Sequence, residues 1–307
     1  MPFRYALVGA GRMGGNHARA LLAEPELELA AVVEPSDDSW ARLALDVPRF
    51  RVLGDLIEEG GFDAALVAVP TRLHLEVVSA LVEARVPVLC EKPCGLTSAE
   101  TRELARIAED FGTLLRVAYW RRHVPALRGL RERIHTGELG QISFVLCSQW
   151  DEAPPPAAFR DPASSGGITV DMGVHEFDVS RWLTGAELAE ICGYASSVSY
   201  DPPIPGDPES ASFAGVLTNG GTLLVTLGRR HVHGEFHRVQ VIGTEGAEAA
   251  EAAGPPSFEE KLLRALGAQA LDFARGGEDC ATPLDAVAAL AAAERAAASI
   301  SRRSHDW

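Results

Sequence analysis

The stretch Arg4-Tyr5-Ala6-Leu7-Val8-Gly9-Ala10-Gly11-Arg12-Met13-Gly14 decides the fold. A strand-like run over 4–8 opens into G-x-G-x-x-G, and a helical pattern follows over 13–23. The glycines permit a tight turn and close approach of a pyrophosphate, and the helix start supplies amide donors and a positive dipole. Alone the hexapeptide is unspecific. Here a second strand, 29–34, ends in Glu34, 25 residues after Gly9. A carboxylate at that point can accept hydrogen bonds from a ribose diol. It also repels a 2′-phosphate, so NAD is expected over NADP, although Arg42 nearby could blur the preference.

Beyond this stretch, short β runs alternate with helices. A short helix is read at 39–45, an almost continuous apolar strand at 64–69 and a helix at 74–84. Next come a strand at 86–90, a helix at 99–111 and a strand at 114–118. Apolar strands buried on both faces and alternating with helices mean a doubly wound parallel sheet. The pattern changes after Tyr119. A helix at 127–135 and a strand at 142–150 precede the loop Ala153-Pro154-Pro155-Pro156 and the Gly166-Gly167 turn. One helix is expected over 170–183, stopped by Gly185. Strand-like runs near 188–199, 210–217, 222–229 and 236–242 imply a largely antiparallel sheet. The loop 202–206 separates the first two, helices at 258–275 and 284–299 close the chain, and the tail 302–307 is expected to fray. The predicted fold is α/β. A Rossmann dinucleotide-binding domain occupies 1–119, and an α+β substrate and oligomerisation domain with an open-faced sheet occupies 120–307.

Of 307 residues, 47% are hydrophobic and 23% charged, as in a soluble globular protein large enough for two cores. A formal charge of −15 argues against nucleic acid or an anionic membrane surface as partner. The five cysteines show no C-x-x-C pair, so they read as reduced core thiols and no metal site is expected. No apolar run reaches spanning length, and no charged-then-apolar leader opens the sequence. A cytoplasmic protein is expected.

Only two of the 28 basic residues are lysine, Lys92 and Lys261. Lys92 follows an apolar strand in Val88-Leu89-Cys90-Glu91-Lys92-Pro93. Lysine can give up its proton where arginine cannot, which makes a lone lysine at a strand end a candidate acid–base or hydrogen-bonding group. Arginine bias from coding composition, with Lys92 a surface accident like Lys261, is the alternative. Asp171, His175, Asp178 and Trp182 are spaced 4, 3 and 4 and would form one stripe on a helix flanked by Val174, Phe177 and Val179. His175 can take a hydroxyl proton near neutrality, and Asp171 one turn away could orient it and favour its charged form. A capping aspartate with an incidental histidine remains the plain structural alternative.

These motifs together resemble the glucose–fructose oxidoreductase and inositol dehydrogenase (Gfo/Idh/MocA) family over nearly the whole chain. The resemblance runs through Gly9–Gly14, Pro70-Thr71 with His74, Glu91-Lys92-Pro93, Arg121-Arg122, Gly166-Gly167, Asp171, His175, Asp178 and Arg181-Trp182-Leu183. The segments at 151–156 and 174–178 look closest to inositol 2-dehydrogenases. The resemblance implies chemistry on Lys92, Asp171 and His175. It implies cofactor contacts from Gly9, Gly11, Arg12, Met13, Gly14, Glu34, Pro70, Thr71, His74, Glu91 and Lys92, and polyol contacts from Arg122, Asp151 and Asp178. It also implies that one sheet face packs on a second subunit, giving a homodimer or homotetramer. Apolar runs such as Leu223-Leu224-Val225 suggest that both sheet faces are covered. Two departures stand out. His231-Val232-His233-Gly234-Glu235-Phe236-His237-Arg238 replaces a tyrosine-bearing segment, and Leu266 stands where a tyrosine is common.

The expected activity is NAD-dependent oxidation of a secondary alcohol of a cyclitol (myo-inositol-like) or a sugar. His175 would accept the hydroxyl proton and Lys92 hydrogen-bond the oxygen, with an exchange of those roles left open. The alternatives are an NAD-using glycosidase of the same family, an NADP-dependent keto-sugar reductase and a non-catalytic dinucleotide sensor.

Overall fold

The computed structural model describes residues 1–156, 160–199, 207–253 and 257–300. The expected loop at 202–206 and the tail from 302 lie outside them. The chain forms two compact units, Met1–His123 with Glu259–Val287, and Val124–Phe258 with Ala288–Trp307. A single boundary after Tyr119 was expected. Instead the chain returns, and a C-terminal helix joins the N-terminal core.

The first unit is built on β1 (Phe3–Val8), α1 (Arg12–Ala23), β2 (Leu27–Val33), α2 (Asp37–Leu43), β3 (Arg49–Phe50) and α3 (Leu53–Glu59). β4 (Ala64–Val67), α4 (His74–Glu83), β5 (Val88–Glu91), α5 (Ser98–Phe111) and β6 (Leu115–Ala118) follow. The strands pair in parallel in the order β3-β2-β1-β4-β5-β6. Every residue of β4 and β5 is buried, which explains their nearly unbroken apolar sequences. Tyr5, Leu7, Leu21, Leu66 and Leu89 share one core with Phe273, and the Tyr5 hydroxyl donates to the Ala270 carbonyl at 2.7 Å. β3 and α3 escaped the sequence reading because a two-residue strand and a helix with a single buried residue leave almost no periodic signal.

The chain reverses between β1 and β4, where the order of the strands changes direction. In open α/β sheets ligands bind at the carboxyl ends of the strands, at such a switch point. Gly9, Glu34, Pro70 and Lys92 follow β1, β2, β4 and β5, so all four lie at that edge. α5 begins just beyond the lysine. The Thr97 side chain caps it by accepting from Glu100 N–H at 3.1 Å, and Glu100 in turn accepts from Leu96 N–H at 2.8 Å.

The second unit contains α6 (Pro125–His135), β7 (Ile142–Trp150), α7 (Pro162–Ser165), α8 (Gly167–Asp171) and α9 (Gly173–Thr184). β8 (Leu188–Ser196), β9 (Ser210–Leu217), β10 (Thr222–Gly228), β11 (Phe236–Gly243) and β12 (Ala247–Ala253) complete its sheet. Of the closing helices, α10 (Phe258–Ala274) belongs almost wholly to the first unit, and α11 (Pro283–Ser299) begins in the first and ends in the second. The sheet order is β12-β11-β7-β10-β9-β8, antiparallel except for β7 beside β10. β12 was missed because its sequence, Ala247-Glu248-Ala249-Ala250-Glu251-Ala252-Ala253, is made of residues depleted in strands.

One expectation is corrected here. The single helix over 170–183 is two, α8 and α9, broken at Met172. The Met172 amide reaches the Ile168 carbonyl, while the His175 amide closes a tighter turn on the Met172 carbonyl. Gly173, a weak helix former, sits at the break. Among the described residues the sheet is covered on one face, the open-faced arrangement expected. Phe213, Leu223, Val225, Leu227, Val239 and Val241 are buried, whereas Ser212, Ala214 and Val216 alternate outward and Leu146 and Leu224 are half-buried.

Candidate active site

In the first unit the glycine-rich turn fits a dinucleotide phosphate. Gly9 has φ +99°, and a Cβ there would lie 2.7 Å from the Ala68 carbonyl oxygen. A Cβ at Gly14 would lie 2.1 Å from the Gly9 carbonyl oxygen, so both glycines are required by packing alone. Gly11 is different: a Cβ there would meet nothing within 4 Å. Its missing side chain leaves open space at the start of α1, where backbone amides converge. That is the space a pyrophosphate needs. Arg12 is exposed and Met13 half-buried at the same helix start.

Glu34 is buried beside this turn. Its Oε2 accepts from Ala10 N–H at 2.8 Å and its Oε1 from Ser36 N–H at 2.8 Å. Each oxygen keeps a second lone pair, so the carboxylate can brace the turn and still accept from a ribose hydroxyl. Pro70 is exposed and Thr71 half-buried at the end of β4.

Two of the expected cofactor contacts face inward. Glu91 is 5% exposed; its Oε1 lies 2.6 Å from His17 Nε2, and its Oε2 accepts from Lys92 N–H at 3.0 Å. Burial works to raise this carboxyl, but the hydrogen bond from His17 and the charges of His17 and Lys92 outweigh it, holding Glu91 below the usual carboxylate range. His74 is buried with Nδ1 2.9 Å from the Pro93 carbonyl and Nε2 3.0 Å from the Val69 carbonyl. Burial holds His74 below its ordinary value; its carbonyl contacts act in the opposite direction without prevailing. Cys90 and Cys94 are buried free thiols, as expected from the sequence, and burial pushes the Cys90 thiol up. Lys92 is half-buried, and its peptide bond to Pro93 is cis. Arg122, an expected polyol contact, is buried within this unit and meets Asp285 at 3.4 Å.

In the second unit Asp171 ends α8 and His175 lies in the first turn of α9. His175 and Asp178 are buried, Asp171 and Trp182 half-buried. The partial burial expected of this stripe is exceeded, for Val174 through Ser180 are all buried. Asp171 Oδ2 accepts from Arg229 Nη1 at 2.9 Å, and Arg229 Nη2 donates to Asp207 Oδ1 at 2.8 Å. Arg229 and Asp207 are fully buried. Burial opposes the Arg229 charge, but the two carboxylates outweigh it and hold the guanidinium above its usual value. No local spacing links Arg229 to Asp171, 58 positions away, so this partner was not legible from sequence.

Asp151 follows β7, half-buried, and accepts from Gln149 Nε2 at 3.2 Å. Glu235, just before β11, and His237, on that neighbouring strand, join it. His237 Nε2 lies 3.3 Å from Glu235 Oε2 and 3.8 Å from Asp151 Oδ1. Glu235 and His237 fall within the histidine-rich segment singled out as a departure in the sequence.

Comparison with known proteins agrees with this fold. Residues 3–119 match the family model described as an oxidoreductase family with an NAD-binding Rossmann fold, and residues 127–247 match the GFO/IDH/MocA C-terminal domain. The chain is 44% identical to the rhizopine catabolism protein MocA of Rhizobium meliloti over 305 residues, covering 98% of this chain and 96% of the relative. It is 30% identical to inositol 2-dehydrogenase of Rhizobium meliloti (strain 1021), covering 84% of this chain and 78% of that protein. Among solved structures, one titled a putative myo-inositol dehydrogenase from Sinorhizobium meliloti 1021 superposes with a TM-score of 0.89 at 26% identity, covering 97% of each chain. With matching models over both halves and a 44% identical relative along almost its full length, the chain belongs to the GFO/IDH/MocA oxidoreductase family and carries that family's NAD-binding Rossmann domain.

Proposed function

We propose that this protein is an NAD-dependent dehydrogenase that oxidises a secondary hydroxyl of a cyclitol or related sugar, with Lys92, Asp171 and His175 carrying the chemistry. The observation that supports this most is the lysine loop. Lys92 stands at the sheet edge that carries the dinucleotide turn, and its neighbours Glu91 and Pro93 are both tied to buried histidines. The relatives named for inositol oxidation support the substrate class.

When bound, NAD supplies the hydride acceptor. Gly11 leaves room for its pyrophosphate, and Glu34 accepts from the ribose diol; Arg12, Met13, Pro70 and Thr71 line the same edge. His175 takes the hydroxyl proton from the substrate, and Lys92 donates a hydrogen bond to the oxygen as it becomes a carbonyl. Asp171, fixed by Arg229, orients the proton acceptor. Asp151 and Asp178 accept from other substrate hydroxyls. Incubation with a panel of cyclitols and sugars, with NAD and with NADP, tests this by absorbance of the reduced nicotinamide. Net reduction by a free polyol supports the dehydrogenase. Glycoside cleavage without net reduction would point to the glycosidase alternative.

The proposal includes a homo-oligomer, a dimer or tetramer formed through the uncovered face of the second unit's sheet. Val216, Leu146 and Leu224 lie on that face, and apolar area of this kind marks an interaction surface.

A further inference from the structure

Glu91 is a carboxylate buried at the end of β5, a strand whose other residues, Val88, Leu89 and Cys90, are buried and apolar. A buried charge is strongly destabilising unless it is paired and hydrogen-bonded. Here both oxygens have partners, and the partners differ in kind. One is the Lys92 backbone N–H, 3.0 Å away; the other is His17 Nε2, 2.6 Å away. The two paired side chains are 1% and 6% exposed. His17 lies on α1, three residues after the last glycine of the G-x-G-x-x-G turn. A continuous chain of hydrogen bonds therefore runs from the dinucleotide-binding helix, through His17 and the Glu91 carboxylate, to the backbone of the lysine.

We propose that His17 is a positioning residue, which fixes Lys92 relative to the dinucleotide turn by way of the Glu91 carboxylate. This rests on the reading of Lys92 as a group that touches the reacting oxygen. His17 itself is 1% exposed and acts through the carboxylate. Since the carboxylate is held ionised, His17 presents an N–H to it, and the two oxygens set the direction in which the chain leaves β5. On the other side of the lysine, the Pro93 carbonyl faces His74 Nδ1 at 2.9 Å, so a second buried histidine closes the loop from α4. A backbone held at both neighbours leaves the lysine to explore only its own side-chain torsions. Misplacing a reacting group by about 1 Å can cost on the order of 10²-fold in rate.

The plain alternative is that the pair only bolts α1 to β5. A bolt would show in folding stability and dinucleotide affinity. A positioning role shows in turnover, and only while Lys92 is present to be positioned. The test uses His17→Asn, Glu91→Ala and Glu91→Gln, each in the wild-type and in the Lys92→Arg background. It measures kcat and KM for the best polyol, NADH Kd by fluorescence, and thermal unfolding. His17→Asn should lower kcat by about 10- to 100-fold, with NADH Kd changed by less than about threefold. Glu91→Gln, which keeps an acceptor for Lys92 N–H, should retain more turnover than Glu91→Ala. In the Lys92→Arg background His17→Asn should produce little further loss. Wild-type kcat in folded His17→Asn, an equal loss in both backgrounds, or a loss carried by NADH Kd would each overturn the proposal. If His17→Asn does not fold, the comparison of Glu91→Gln with Glu91→Ala decides, and equal turnover of those two would overturn it. Normal turnover by Lys92→Arg would remove the premise about Lys92, an outcome distinct from any result at His17.

Discussion

Glu34 engages two backbone amides, Ala10 in the glycine-rich turn and Ser36 beyond the strand. Its charge is thereby fixed beside the expected ribose. Glu34→Ala should lower the ratio of kcat/KM for NAD over NADP by roughly tenfold, about 1.4 kcal/mol. Assays with both cofactors measure this, and a wild-type preference for NADP would contradict the assignment. Lys92→Arg keeps the charge but offers a larger, planar group that cannot release its proton. It should lose kcat while NADH affinity stays near wild type. Arg229 makes a different prediction. Replacing it by Leu removes the cation that the Asp171 and Asp207 carboxylates share. Breaking a buried pair in this way costs about 3–5 kcal/mol, so Arg229→Leu should unfold at markedly lower temperature and lower denaturant.

At the scale of elements, α4 begins with His74, whose ring faces the carbonyls of Val69 and Pro93. Burial depresses its pKa, so the folded protein binds fewer protons there than the unfolded chain does. That contribution to stability is complete above about pH 6.5, the ordinary histidine value, and is lost as pH falls from there toward the depressed one. His74→Gln removes this titration, and its melting temperature should decline less steeply than that of wild type between about pH 6.5 and 5. Parallel acid slopes for the two proteins would contradict this account. What was legible in the sequence follows the same logic of range. The turn at Gly9–Gly14, the strand before it and the helix after it lie within one stretch of chain, and the physics that shapes them is local. Asp171, His175 and Asp178 were legible as residues but not as geometry, because the break at Met172 depends on backbone hydrogen bonds that spacing does not report. His17 with Glu91, and Arg229 with Asp171 and Asp207, join residues far apart in sequence. No periodicity connects them.

At the scale of the whole molecule, the return of α10 to the N-terminal core was invisible for a related reason. An amphipathic helix shows that it packs, but not on what. Leu266, which stands where a tyrosine was expected, is fully buried on that helix. The uncovered sheet face of the second unit predicts association. Light scattering at micromolar protein should give the mass of a dimer or tetramer, and a monomer of 32.7 kDa would contradict the proposed interface. No helix among the described residues is long and apolar enough to cross a membrane. The proposed function is polyol oxidation carried by Lys92 and His175. Its most direct test is a single-turnover measurement of nicotinamide reduction, with saturating NAD and the best cyclitol of the panel, on wild type, Lys92→Ala and His175→Ala. Wild type should form reduced cofactor rapidly. Each variant should lose about 10²–10⁴-fold while still binding NADH. Reduction at the wild-type rate by either variant, or no reduction by wild type with any cyclitol or sugar, would contradict it.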